Sequence, residues 1–133
     1  MDPGTYDPAF IAEHLELVGT LFGPGRWFDT HVRGFDHVPS EPTMLVGNHS
    51  GGTTILDGYG FMAEWYRHFG PGRPLHGLAH EVVFASSTFG RYFERGGMLR
   101  ARRDVAHECL GTHHHDIMVM PGGDQDVWRP ASA

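Results

Sequence analysis

The order of apolar runs along the chain predicts an α/β fold, a mainly parallel sheet flanked by helices, built as one domain. Three observations carry this expectation. Apolar runs of strand length recur at 43–47, 75–79, 97–101 and 117–120, stretches with helical spacing lie between them, and glycine or proline punctuates the joints. Strands that alternate with helices place those helices on both faces of a parallel sheet. The 133 residues suit a single domain, with 1–34 as an amphipathic helix and its lead-in and 35–130 as the part that bears the motifs.

After a turn at Asp7-Pro8, the segment Ala9 to Phe22 spaces Phe10, Ile11, Leu15, Val18, Leu21 and Phe22 as one helical face, and Gly23-Pro24-Gly25 stops it. Its polar face carries no arginine, so it is read as packing on its own domain rather than on an anionic bilayer. Apolar positions alternate from Trp27 to Val38, and Pro39 and Pro42 follow. The first long strand is then Thr43 to Gly47, followed by a helix over Thr54 to Phe69 with a stripe of Ile55, Tyr59, Met62, Tyr66 and Phe69. The second strand is Leu75 to Ala79. A helical stretch from Glu81 to Arg95, broken near Ser86-Ser87 and ended by Gly96, precedes the third strand at Gly97 to Ala101. Asp104 is expected to cap a short helix through Leu110, and Ile117 to Met120 is the fourth strand.

Composition removes several function classes. A formal charge of -6 argues against nucleic-acid binding, which needs clustered cations to neutralise phosphates. Cys109 is the one cysteine and falls on a predicted helix, so the sequence offers neither an internal disulfide nor a thiolate metal site and suits a reducing compartment. Met1 to Tyr6 lack the basic start and apolar run of a secretory signal, and no stretch approaches the roughly 20 apolar residues of a membrane-spanning helix.

The residues with chemical potential collect in one kind of place. His49 follows the first strand, His80 the second, Arg100, Arg102 and Arg103 the third, and Pro121-Gly122-Gly123-Asp124 the fourth. In open α/β sheets ligands sit beyond the carboxyl ends of the strands, so these four loops are expected to share a crevice. In Asn48-His49-Ser50-Gly51-Gly52 a histidine leaves a strand on a glycine-rich turn, with Asp57 eight positions on. A neutral imidazole can take a proton from an alcohol, and a carboxylate on its other nitrogen fixes the tautomer. Asp57 also suits a capping box begun by Thr54, and the two roles are compatible.

Leu45-Val46-Gly47-Asn48-His49-Ser50-Gly51-Gly52, Asp57, and the block Val119 to Asp124 with Arg129-Pro130 resemble the lysophospholipid/glycerolipid acyltransferase superfamily. The branch they resemble is that of bacterial proteins similar to monoacylglycerol and diacylglycerol acyltransferases. The resemblance implies an acyl-CoA or acyl-carrier-protein donor, a lipid hydroxyl acceptor, no cofactor beyond that co-substrate, and a cytoplasmic site on the inner face of the membrane. It also implies phospholipid biosynthesis, His49 as the catalytic base with Asp57 as its acidic partner, and substrate contacts from Ser50, Gly51, Gly52, Pro121, Gly122, Gly123 and Asp124. By the same resemblance Gly97 through Arg102 correspond to the family's second block, where Arg100, Arg102 and Arg103 are candidates to clamp a phosphate; a solvated cationic turn paired with Asp104 is the equal alternative.

Departures from the pattern are definite. Seven residues separate His49 from Asp57 where the commonest family form has four, and Pro121-Gly122-Gly123 replaces the usual proline-glutamate-glycine, leaving Asp124 or Asp126 as the carboxylate. Family domains continue beyond this block, so the chain is expected to be an acyltransferase whose domain is truncated, a truncation that could cost it activity. Two other readings compete: a non-catalytic lipid-binding fragment that exposes Trp65, Tyr66 and Phe69, and a zinc-dependent hydrolase drawing on the eleven histidines. Against the second, His80-Glu81 lacks the partner histidine of the zinc-protease pattern, and His113-His114-His115-Asp116 reads as a solvated turn with no metal. A serine hydrolase ranks below both, because Ser50 stands one place too late for the nucleophile elbow.

Overall fold

A computed structural model of the chain describes residues 6–49 and 56–122. Ser50, Gly51, Gly52, Gly123 and Asp124 of the expected site, together with Asp126 and Arg129-Pro130, lie outside the described residues.

Helix α1 (Pro8–Leu21) begins where Asp7 accepts hydrogen bonds from the amides of Ala9 and Phe10, with Pro8 preset for a first helical position. The same carboxylate meets Arg95 at 3.0 Å, joining two segments far apart in sequence. At the other end Arg67 donates to the carbonyls of Gly19 and Phe22, supplying positive charge where the helix leaves carbonyls unpaired. Two short strands follow, β1 (Phe22–Gly23) and β2 (Phe28–Asp29). The alternating stretch Trp27 to Val38 is thus not one strand: Phe35–His37 form a 3-10 turn that packs Phe35 edge-on against Trp65 and Phe69 of the next helix.

The remaining elements are β3 (Met44–Val46), α2 (Leu56–Phe69), β4 (Leu75–Ala79), a 3-10 turn (Glu81–Phe84), α3 (Ser87–Arg95), β5 (Leu99–Arg100), α4 (Arg103–Gly111) and β6 (Asp116–Val119). The four longer-range strands pair in the order β3-β6-β4-β5, all parallel, as the alternating pattern requires. Consecutive residues of a strand point to opposite faces. Met118 packs with Ile11, Trp65, Tyr66 and Leu75 under α1 and α2, whereas Ile117 packs with Leu99, Val105 and Cys109 under α4. Helices therefore cover both faces.

Trp65 and Tyr66 are core residues, 0% and 3% exposed, which corrects the expectation that they form apolar surface; Phe69 packs against the same cluster. The Trp65 indole donates to the carbonyl of Arg73, and the Tyr66 hydroxyl bonds both backbone groups of Leu75. Burying these rings without partners for their polar tips would cost about 1–3 kcal/mol for each stranded group, a sizeable part of what their apolar area gains.

Three local differences have physical reasons. Gly96 does stand at the end of α3, but the left-handed residue is Gly97, at φ 91°; its amide reaches Glu94 and that of Met98 reaches Phe93. This double closure uses Gly97 to end the helix, so β5 starts later than expected. Arg102, not Asp104, occupies the cap of α4, and Asp104 in the first turn bonds the Arg102 guanidinium. His115, finally, is not part of a solvated turn: its ring stacks on that of His76 at 5.1 Å.

Candidate active site

β3 ends the first strand at Val46, and the amide of Gly47 still bonds Val119, so the chain leaves the sheet just before His49. Asp57 comes back to it from the first turn of α2. The Nδ1 atom of His49 lies 3.1 Å from Oδ2 of Asp57, with the two side chains 14% and 24% exposed. A carboxylate only accepts, so this contact puts the proton on Nδ1 and leaves Nε2 as the basic nitrogen. The other carboxylate oxygen accepts the amide of Gly58 at 2.9 Å. Asp57 therefore serves helix start and imidazole together, and the amino end of α2 favours its charge. Thr54, the other half of the proposed capping box, lies outside the described residues.

A cavity of about 850 Å³ opens beside this pair. The first wall is α1, through Phe10, Leu15 and Val18; the second is α2, through Tyr59 and Met62. His49, His80, Arg102, Arg103 and Pro121 line it where the chain leaves β3, β4, β5 and β6. Among the described residues, each of the four strand ends thus contributes a side chain to the cavity. Few polar groups interrupt the walls: burial pushes the Tyr59 phenol up to about 12, and the Tyr92 phenol, which also lines the cavity, is raised for the same reason.

The arginine trio divides. Arg100 points away from the cavity to Glu81 at 3.0 Å and lies over the Phe84 ring. Arg102 lines the cavity while bonding both oxygens of Asp104 at 3.0 and 2.6 Å, and the guanidinium holds that carboxyl below the usual range. Arg103 lines the cavity and makes no ion pair among the described residues. Only Arg102 and Arg103 are placed to meet a ligand there. Gly122 sits in the turn after β6 without lining the cavity.

Tyr59 and Met62 belong to the helical stripe legible in the sequence, yet that stripe does not separate them from Tyr66. Core and cavity wall are both apolar, so periodicity cannot tell one from the other. Among the described residues no helix is long and apolar enough to cross a membrane. No family model, no curated protein and no solved structure matches the chain.

Proposed function

We propose that this chain transfers a fatty acyl group from an acyl thioester to a hydroxyl of a glycerolipid or lysophospholipid. The observation that carries the reading is the 3.1 Å contact between His49 and Asp57 beside an apolar cavity of about 850 Å³. An imidazole oriented by a half-buried acid suits a general base, and an apolar chamber of that kind suits an acyl chain.

In the proposed step, Nε2 of His49 removes the proton of the acceptor hydroxyl as its oxygen attacks the thioester carbonyl. Asp57 stabilises the imidazolium that results. Collapse of the tetrahedral adduct breaks the carbon–sulfur bond, and the thiolate takes the proton back from His49. No acyl group is carried by the protein. The amides of Gly51-Gly52 are the candidates to stabilise the oxyanion, since glycine allows close main-chain approach. In this reading Arg103, with Arg102, both of which line the cavity, holds a phosphate of donor or acceptor. Work on such lipids sets the protein at the inner membrane surface.

The test is a product balance with a labelled long-chain acyl-CoA or acyl-carrier protein and a panel of glycerolipid hydroxyls. The expected result is thiol and lipid ester in equal amounts, with no label on protein. Label that stays on the protein, or appears only as free fatty acid, would overturn the reading.

A further inference from the structure

At the amino-terminal end of the sheet, away from His49, three potential ligands meet that are distant in sequence. His76 lies on β4, Cys109 on α4 and His115 just before β6, and one donor atom of each lies within 4.8 Å of the others. His76 and Cys109 are fully buried and His115 is half-buried. None of the three lines the cavity. We propose that His76, Cys109 and His115 bind a zinc ion that fastens α4 to the sheet.

Geometry supports this in two independent ways. His76 Nδ1 donates to the carbonyl of Gly97 at 2.7 Å, which fixes the ring and turns its Nε2 lone pair toward His115. A backbone acceptor on the far nitrogen is how metal-binding imidazoles are commonly oriented. The chain also accepts an uncommon conformation to bring the second imidazole in: His114, at φ 55°, is the one positive-φ residue other than glycine among the described residues. That bend turns His115 inward, stacked on His76 with 2.9 Å between their facing nitrogens.

Two imidazoles and a thiolate are the donor types zinc prefers, and tetrahedral bonds of about 2.0–2.1 Å to nitrogen set nitrogens roughly 3.3 Å apart. To take the ion, the His pair parts by a few tenths of an ångström from 2.9 Å, both rings turn so that their lone pairs converge on it, and His115 gives up its Nδ1 proton for the other tautomer. Cys109 closes in from within 4.8 Å and loses its thiol proton to solvent as the zinc–sulfur bond forms. Water or His113, whose ring centroid is 5.8 Å from that of His115, fills the fourth position. The sequence hid this site because a single cysteine far from its partner histidines has no ligand spacing to recognise.

The experiment adds Co²⁺, then competing Zn²⁺, to the full chain purified without a histidine tag. Because Cys109 is the only cysteine, a sulfur-to-cobalt charge-transfer band in the near ultraviolet can come from no other residue. The proposal expects that band at one equivalent, its removal by Zn²⁺, and a Tm raised by Zn²⁺ and lowered by chelator. Cys109→Ser should abolish the band, and His115→Gln should weaken binding by at least about tenfold, the lower end of what even outer-shell losses cause. Should Cys109→Ser fail to fold, the wild-type spectrum and His115→Gln still decide. Binding without the charge-transfer band, binding unchanged in His115→Gln, or no stoichiometric binding would leave a hydrogen-bonded histidine pair beside a buried thiol and overturn the proposal.

Discussion

The two ends of the parallel sheet are built on opposite principles. At the amino-terminal end, Asp116 is 3% exposed, accepts two hydrogen bonds from Arg73 and a third from the amide of Thr43, and thereby joins β6, β3 and the loop before β4. Arg73 in turn lies over the rings of Trp65 and Phe69 and donates to the carbonyl of Pro39. At the carboxyl-terminal end the ionisable groups converge on a cavity, and His49 and Asp57 remain partly accessible beside it. Charge at the first end is consumed in holding elements together; charge at the second is oriented toward space that a ligand can enter. Substitutions at the two ends should therefore separate stability from activity.

The largest effect on activity is expected from the base. His49→Ala should lower the transfer rate by about 10²- to 10⁴-fold with little change in Tm, and Asp57→Asn added to it should cost almost nothing further, because the two act as one unit. Steady-state rates and melting curves for the single and double variants check this. At the other end Asp116→Ala should lower stability by about 3–5 kcal/mol in denaturant titrations, since it strands a partly buried guanidinium. Any loss of activity there should follow the loss of folded protein.

Smaller effects sharpen the contrast. Gly97→Ala forces a side chain into left-handed backbone with its Cβ 3.1 Å from Tyr6 and 3.3 Å from His76, and should cost about 1–2 kcal/mol or somewhat more. Arg103→Ala should raise KM roughly tenfold for a phosphate-bearing substrate and leave kcat and Tm nearly unchanged, the loss of one charge-assisted hydrogen bond. Smallest is the acid response of Asp7. Its carboxyl is held below the ordinary 3.8 by the Phe10 amide and by Arg95, so its contribution is complete above that value and fades as pH falls through the lower folded value. The Tm gap between wild type and Asp7→Asn should accordingly narrow below pH 3.8 in a scanning series.

The same contrast explains what could be read in advance. Strand-and-helix alternation fixes the sheet, and Leu75–Ala79 is found with the expected limits, because apolar periodicity reports burial directly. The strand-end rule then locates the crevice: His49, His80 and Arg103 meet because parallel strands bring successive loops to one edge. The packed end was illegible. Asp116 pairs with Arg73 across 43 positions and His76 with His115 across 39, and no local spacing encodes such contacts. Nor did the alternation in Trp27 to Val38 reveal that only Phe28–Asp29 would pair, since a strand also needs a neighbour and Phe35 turns into the aromatic core instead.

The claim that chemistry resides at the carboxyl-terminal end is tested most directly by single-turnover thiol release from a long-chain acyl-CoA with a monoacylglycerol acceptor, wild type against His49→Ala of equal Tm. The account predicts acceptor-dependent release by the wild type and its collapse in the variant. Equal rates in both proteins would contradict it.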